Sequence, residues 1–203
     1  NHNLSNTAQG QDLDFAKFGE VEIITLNKIK KITGERIQQS WQTIPHVTQF
    51  DQCDITKLEK VRKNFKNTTT KKEAKVSLLP FFIKAVEILL GEMPQFNSSL
   101  DKTNQNLVLK KYINIGVAIE TPSGLVVPVI KNISNKSIIE LDKELTNIGK
   151  KAREKKLSFD DMQGGCFTIS SLGGIGGTYF TPIINPPEVA ILGISRSSYK
   201  QIF

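Results

Sequence analysis

Residues 166–195 hold two apolar, strand-like runs joined by a glycine-rich turn and a proline-rich connection. The first run, Cys-Phe-Thr-Ile-Ser-Ser at residues 166–171, ends in two serines, and the second, Val-Ala-Ile-Leu-Gly-Ile at residues 189–194, is apolar throughout. Short apolar runs bounded by glycine and proline are typical of core strands. The block therefore predicts two strands, with two hydroxyl groups at the bend after the first.

The glycine-rich turn does not have the pattern of a phosphate-binding loop. Gly-Gly-Ile-Gly-Gly at residues 173–177 has neither the lysine of a P-loop nor the G-x-G-x-x-G spacing that precedes a helix. Turn flexibility explains these glycines better. No nucleophile-elbow pattern surrounds the serines. The only histidines are His2 and His46, too few for a zinc site built on histidine and cysteine.

The rest of the chain alternates between strand-like and helical patterns, which indicates a mixed α/β fold. One helix is apolar nearly all round, which favours a central position, and its Pro80 falls in the first turn, where a missing N–H does no harm. The pattern predicts helices at 27–41, 54–65, 77–93 and 137–156. It predicts strands at 44–53, 107–110, 112–120 and 125–130. An extended arm is expected at 21–26, a loop at 64–75 and a turn at 121–124.

Composition narrows the choice of partners. The chain of 203 residues has 27 Lys and Arg against 20 Asp and Glu, a net charge of +7, which favours anionic partners or a solvated basic face. The basic residues are spread over separate elements without interleaved aromatic residues, so the sequence does not favour nucleic-acid binding. The longest apolar run, residues 78–83, is far shorter than a membrane helix, and the sequence shows no signal peptide.

The two cysteines indicate the redox compartment, and the two chain ends indicate the bounds of the domain. Cys53 and Cys166 both stand in apolar, strand-like runs, so we expect buried, reduced thiols and a reducing, cytoplasmic compartment. Residues 1–14 are polar and resemble a linker, which leaves residues 15–203 as one domain. The chain begins with Asn1 and ends directly after the strand-like residues 199–203, so we expect it to be trimmed at both ends.

Five segments closely resemble the catalytic domain of the dihydrolipoamide acyltransferases. The likeness covers nearly all of residues 14–203 in order and spacing, and it is nearest to bacterial members that transfer acetyl groups in the pyruvate dehydrogenase complex. The segments are Ile-Pro-His-Val-Thr at 44–48, Met-Pro-Gln-Phe-Asn-Ser at 93–98, Lys-Lys-Tyr-Ile-Asn-Ile-Gly-Val-Ala at 110–118, Thr-Pro-Ser-Gly-Leu-Val-Val-Pro-Val at 121–129 and Cys-Phe-Thr-Ile-Ser-Ser-Leu-Gly at 166–173.

The resemblance implies an α+β two-layer sandwich like that of chloramphenicol acetyltransferase, a mixed sheet with helices on one side. It also implies homotrimers that build a cubic core and that work with pyruvate dehydrogenase and dihydrolipoamide dehydrogenase. Coenzyme A would be a co-substrate, and the lipoate would be carried by a separate lipoyl domain. No lysine here sits at the tip of a hairpin in a small domain, so no covalent cofactor is expected on this chain, and no metal is expected.

The resemblance assigns one catalytic residue to this sequence. By its place in Thr-Ile-Ser-Ser at 168–171, Ser170 corresponds to the serine that donates a hydrogen bond to the oxyanion, while Ser171 should face the opposite way. The family's general base lies in a His-x-x-x-Asp-Gly motif expected beyond Phe203, so we expect this chain to be inactive alone. His46 either lines the lipoyl side of the channel or is structural. Two alternatives remain open, namely a scaffold role and a succinyl or branched-chain acyl specificity.

Overall fold

The computed structural model describes residues 14–65 and 75–201. In these ranges short 3-10 turns occur at Phe15–Lys17, Pro94–Asn97, Ile133–Asn135 and Asp160–Met162. The α-helices are α1 (Lys28–Thr43), α2 (Thr56–Lys63), α3 (Leu79–Glu92) and α4 (Ile138–Arg153). The strands are β1 (Ser98–Leu100), β2 (Leu107–Leu109), β3 (Ile115–Thr121), β4 (Gly124–Val126), β5 (Val129–Ile130), β6 (Phe167–Ser171) and β7 (Ile191–Ile194).

The main sheet is mixed, as predicted. Strand β3 pairs antiparallel with β4 and β5 on one edge and parallel with β6 on the other, and β7 continues the sheet parallel to β6. Strands β1 and β2 form a separate antiparallel pair. The connection between β6 and β7, residues 172–190, is called the crossover below. Strand β6, which carries the two serines, is therefore an interior strand with a partner on each side.

Helices α3 and α4 cover one face of this sheet. The buried core joins Ile83 of α3, Leu141 of α4, Val117 of β3 and Ile169 of β6, and each is at most 4% exposed. The start of helix α1 lies beside the turn between β3 and β4, where the Asn27 side chain donates to the Ser123 carbonyl at 3.2 Å. The two-layer arrangement with helices on one side is thus confirmed. Within the described ranges no helix is both long and apolar enough to cross a membrane.

The ends of the predicted helices follow their capping residues. The Asn27 side chain accepts from the Lys30 N–H at the start of α1. At the start of α4, Ser137 and Glu140 bond each other's backbone N–H groups in a capping box. Pro80 lies in the first turn of α3, as expected. Helices α1, α3 and α4 are therefore confirmed to within a few residues.

Several local predictions are wrong. Residues 44–53 form no strand, because no strand pairs with them in the described ranges. Cys53 is exposed in consequence, and only Cys166 is buried; both are free thiols. Helix α3 begins at Leu79 rather than at residue 77, and the Ser77 hydroxyl donates to Asp142 of α4 at 2.7 Å.

Three further differences concern segment ends. Helix α2 begins at Thr56, and the Asp54 side chain accepts from the Thr56 N–H at 2.8 Å rather than occupying the cap position. Residues 199–201 are not in a strand, and 202–203 lie outside the described residues. The predicted loop at 64–75 also falls mostly outside them, as do residues 1–13 of the linker.

Candidate active site

Ser170 lies near the end of β6, on the sheet face opposite to the helices. Its neighbours Ile169 and Phe167 point into the helix-covered core, and successive residues of a strand point to opposite faces. Ser171 accordingly faces away from Ser170 and is exposed, whereas Ser170 is half-buried. The Ser170 hydroxyl makes no hydrogen bond to another residue in the described ranges. It does not bond its own backbone, as a turn serine would, and it has a proton to donate.

The strands on either side of Ser170 carry very small residues. Ala118 of β3 and Gly193 of β7 are its register partners. In a parallel sheet such partners face the same way, about 4.8 Å to each side. Ser170 therefore stands in a trough with a methyl group on one side and no side chain on the other.

Two side chains of the crossover occupy the space above Gly193. A Cβ atom added to Gly193 would lie 2.8 Å from the Phe180 ring and 3.2 Å from Pro182. The absence of a side chain at 193 is what lets the ring pack against the backbone beside Ser170. Phe180 thus forms one wall of the trough.

The opposite end of the trough is open. After β6 the chain turns back through Leu172, whose carbonyl accepts from the Ile175 and Gly176 N–H groups at 2.9 Å. Gly176 and Gly177 have φ angles of 117° and 94°, so the glycine-rich run is a turn, as predicted. Ile175 is 68% exposed. A Cβ added at Gly174, Gly176 or Gly177 would meet nothing within 4 Å, so the space around this turn is open.

Adding a methyl group at Gly193 tests the Phe180 wall. We expect Gly193→Ala to push the ring away from Ser170 and to lower the free energy of unfolding by about 1–3 kcal/mol, because the added Cβ overpacks this contact. Gly174→Ala is the matched control, since a Cβ there meets nothing within 4 Å. Urea unfolding monitored by circular dichroism gives both values. Equal stability of the two variants would contradict the packing described.

His46 lies on the other side of the crossover, where both ring nitrogens contact backbone groups. The Ile184 N–H donates to Nε2 at 3.0 Å, and Nδ1 lies 2.8 Å from the Ile44 carbonyl oxygen. Because a carbonyl can only accept, Nδ1 is the donor in this contact, and Nε2 is the acceptor for the Ile184 N–H. The ring also stacks on Trp41, with centroids 5.4 Å apart. With both nitrogens occupied, His46 has the contacts of a structural residue and no free nitrogen for proton transfer.

The structure also reveals a buried carboxyl group that the sequence patterns do not indicate. Glu188, in the crossover, is only 5% exposed. Burial raises its pKa from 4.5 to about 7, against the opposing effects of the Thr168 hydroxyl, the Asn185 amide and Lys110. Burial likewise raises the pKa of Cys166, whose thiol donates weakly to the Tyr112 carbonyl at 3.4 Å. Neither group lies beside Ser170, because both are at the other end of β6 and β7.

Comparison with known proteins gives the class to which this fold and site belong. Residues 18–203 match the family of the 2-oxoacid dehydrogenases acyltransferase (catalytic domain). The chain therefore belongs to this family of acyltransferase domains.

Individual relatives share both sequence and fold with the chain. The dihydrolipoyllysine-residue acetyltransferase component of the pyruvate dehydrogenase complex of Haemophilus influenzae is 55% identical over 193 residues, which are 94% of this chain and 34% of that protein. The counterpart from Cupriavidus necator is 53% identical over 190 residues, with the same shares of 94% and 34%. The chain thus spans about a third of the length of these curated relatives.

Solved structures agree with this assignment. Dihydrolipoamide acetyltransferase of Azotobacter vinelandii, studied for the roles of a serine, a histidine and an asparagine in its catalytic mechanism, superposes with a TM-score of 0.90 at 49% identity, over 95% of this chain and 79% of that one. The cubic core of a pyruvate dehydrogenase multienzyme complex matches with the same TM-score, identity and coverage. The fold and the family predicted from the sequence are confirmed.

Proposed function

We propose that the protein is a dihydrolipoyllysine-residue acetyltransferase, which transfers acetyl from S-acetyl-dihydrolipoyl-lysine to coenzyme A. The observation that carries the proposal is the place of Ser170, which lies between its register partners Ala118 and Gly193 and whose hydroxyl makes no hydrogen bond to another of the described residues. The named relatives, all acetyltransferase components, support the choice of acetyl. The fit is chemical as well, since a thioester needs an unobstructed approach and a hydrogen-bond donor for its carbonyl oxygen.

Ser170 supplies the electrostatic part of this reaction. As a coenzyme A thiolate forms a bond to the carbonyl carbon, negative charge develops on the carbonyl oxygen, and the Ser170 hydroxyl donates to it. The carbonyl then re-forms as its bond to the dihydrolipoyl sulfur breaks, and that sulfur takes up the proton that the general base removed from the coenzyme A thiol. A fixed donor stabilises the transition state more than the ground state, because the charge exists only in the former. Lipoate and coenzyme A thus bring the acyl group and the acceptor thiol, and the sheet holds the donor.

The general base in this proposal is a histidine that is not among the 203 residues. The two histidines of the sequence are His2 and His46, and both ring nitrogens of His46 contact backbone groups. Neither stands in a His-x-x-x-Asp-Gly sequence. Without a base the thiol stays largely protonated, which costs a factor of about 10²–10⁴.

An acyl-transfer assay tests both the choice of acetyl and the place of the general base. Full-length protein is mixed with acetyl-dihydrolipoamide and coenzyme A, and acetyl-CoA formation is followed over time, with succinyl- and isobutyryl-dihydrolipoamide as competitors. We expect acetyl to be the preferred group. The 203-residue polypeptide alone should be at least about 10²-fold slower. Preference for succinyl would establish the alternative specificity, and full activity of the 203 residues would overturn the proposed base.

The assembly proposed for this chain is a homotrimer within a cubic core that binds pyruvate dehydrogenase and dihydrolipoamide dehydrogenase in the bacterial cytoplasm. Large apolar side chains are exposed along the N-terminal arm and α1, including Phe18 at 81%, Ile23 at 91% and Trp41 at 60%. Such a surface is typical of a protein interface. The cubic-core structure among the relatives supports other copies of this chain as the occupants.

The same surface favours a second candidate, a scaffold whose chemistry is secondary. Sedimentation velocity combined with coenzyme A titration separates the two candidates. A large assembly that binds coenzyme A supports the enzyme, whereas a large assembly without coenzyme A binding supports the scaffold.

A further inference from the structure

Residues 44–54, called the strap below, run alongside the crossover without forming a strand. The strap touches the crossover at two points. At the first, the Ile184 N–H donates to His46 Nε2 at 3.0 Å. At the second, the Gln52 amide donates to the Tyr179 hydroxyl at 3.1 Å, and Phe50 packs edge-on against the Tyr179 ring at 5.3 Å. The strap thus holds both ends of the segment 179–184.

His46, the first anchor, is itself held on two sides. Its ring is fixed from behind by the Ile44 carbonyl, 2.8 Å from Nδ1, and from the side by the stacked ring of Trp41. A bond to Nδ1 fixes which nitrogen of a histidine is free to accept. A second proton on the ring would turn Nε2 into a donor that faces the Ile184 donor. The link therefore requires the neutral ring.

The segment held by the two anchors is the wall of the Ser170 trough. Phe180 and Pro182 lie between Tyr179 and Ile184 in sequence, and both cover Gly193, the register partner of Ser170. Residues 178–190 belong to no helix or strand, so contacts such as these, rather than a helix or sheet ladder, hold the segment in place. A shift of this segment would therefore move the Phe180 ring relative to the hydroxyl.

We propose that His46 is a positioning residue for acyl transfer, which holds the crossover through Ile184 and so fixes the Phe180 wall beside Ser170. The proposal rests on the proposed function, because it assigns His46 a role in the reaction at Ser170. In this proposal His46 does not line the substrate channel. It acts through the Ile184 backbone group that it binds. A misplacement of about 1 Å in such a wall is enough to slow an enzyme about 10²-fold.

Two substitutions of similar size separate positioning from bulk packing. In His46→Gln the side-chain oxygen can reach the position of Nε2 and accept from Ile184, whereas in His46→Asn the shorter side chain reaches only the Ile44 carbonyl. Tyr179→Phe removes only a hydroxyl at the second anchor and keeps the ring against Phe50. Each variant is made in the full-length protein.

The first measurement is amide exchange at Ile184. We expect His46→Asn to exchange about 5–10-fold faster than wild type, the factor that corresponds to one lost hydrogen bond. His46→Gln and Tyr179→Phe should stay within about twofold of wild type, since both keep an acceptor for this N–H. Unchanged protection in His46→Asn would overturn the link itself and with it the proposal.

The second measurement is acetyl transfer by the same variants, with Ser170→Ala as a reference. We expect kcat to fall about tenfold or more in His46→Asn and to be largely restored in His46→Gln. If Ile184 loses protection while kcat stays at the wild-type value, His46 is only structural and the proposal is wrong. If Ser170→Ala is fully active, the proposed function fails, and the exchange result alone then decides whether His46 holds the crossover.

Discussion

Ser170→Ala should lower kcat for acetyl transfer by about 10²–10³-fold while KM for both substrates stays nearly constant. The hydroxyl has no hydrogen-bond partner in the described ranges, so its removal leaves no buried group unpaired, and the free energy of unfolding should change by less than about 0.5 kcal/mol. The loss is confined to kcat because the oxygen carries full negative charge only as the tetrahedral state forms. Steady-state kinetics on full-length protein provide the measurement.

The neighbouring serine offers a matched control. Ser171 has the same side chain one residue further along β6, but it is exposed and faces the opposite side of the strand. Ser171→Ala should therefore keep kcat within about twofold of wild type. Equal losses in both variants would point to a general disturbance of the strand end, and full activity of Ser170→Ala would remove Ser170 from the mechanism.

The predictions from sequence succeed where local chemistry decides the structure. Asn27 and Ser137 cap helices whose apolar residues recur at helical spacing, and both helices begin at the next residue. Pro80 fits a helix start because its missing N–H has no partner in a first turn. The hairpin around residues 121–124 follows from a turn sequence between two apolar runs, and β3 and β4 pair there as expected.

The sequence-based predictions fail where a segment far away in the chain determines the local structure. The strap is rich in β-favouring residues, but no strand pairs with it in the described ranges, so no ladder forms. Strand β1 is short and begins with two serines, and only pairing with β2 defines it. The sequence pattern describes backbone preference, whereas a sheet needs a neighbour.

The site shows the same division. Ser170 is placed by the resemblance and by the alternation of side chains along β6. The wall beside it comes from Phe180 packing on Gly193, and the anchor behind that wall joins His46 to Ile184 across 138 residues. No local pattern contains such pairs. The sequence therefore places Ser170 on its strand, whereas the contacts around it are visible only in the fold.

Glu188 gives the clearest dependence of stability on pH. Its carboxyl group is 5% exposed, and Oε2 has no hydrogen-bond partner in the described part of the chain. The Thr168 hydroxyl is near enough to lower the pKa, but it makes no well-formed hydrogen bond, since Thr168 Oγ1 is unpaired as well. Asn185 contributes only a long contact of 3.4 Å to Oε1. Gly165 leaves room for that oxygen, because a Cβ there would lie 2.9 Å from it.

The raised pKa of Glu188 determines the sign of this dependence. Between pH 4.5 and about 7 the unfolded chain has released the proton, whereas the folded chain still holds it. The folded state then binds more protons, so the free energy of unfolding falls as the pH rises through this window, by about 1.4 kcal/mol per unit. The fall totals about 3 kcal/mol and ends above pH 7, where both states are ionised.

Glu188→Gln should remove this contribution. The amide keeps the shape of the protonated carboxyl group and carries no charge to bury, so at pH 8 the variant should be more stable than wild type by up to about 3 kcal/mol, and near pH 4.5 the two should be equal. Urea unfolding at a series of pH values measures the difference, with Glu92→Gln at the exposed end of α3 as a control that should differ from wild type by less than about 0.5 kcal/mol throughout. A Gln variant that is less stable than wild type at pH 8 would mean that the ionised Glu188 has a favourable partner in the folded protein, and the buried carboxyl group would then stabilise the fold instead of straining it.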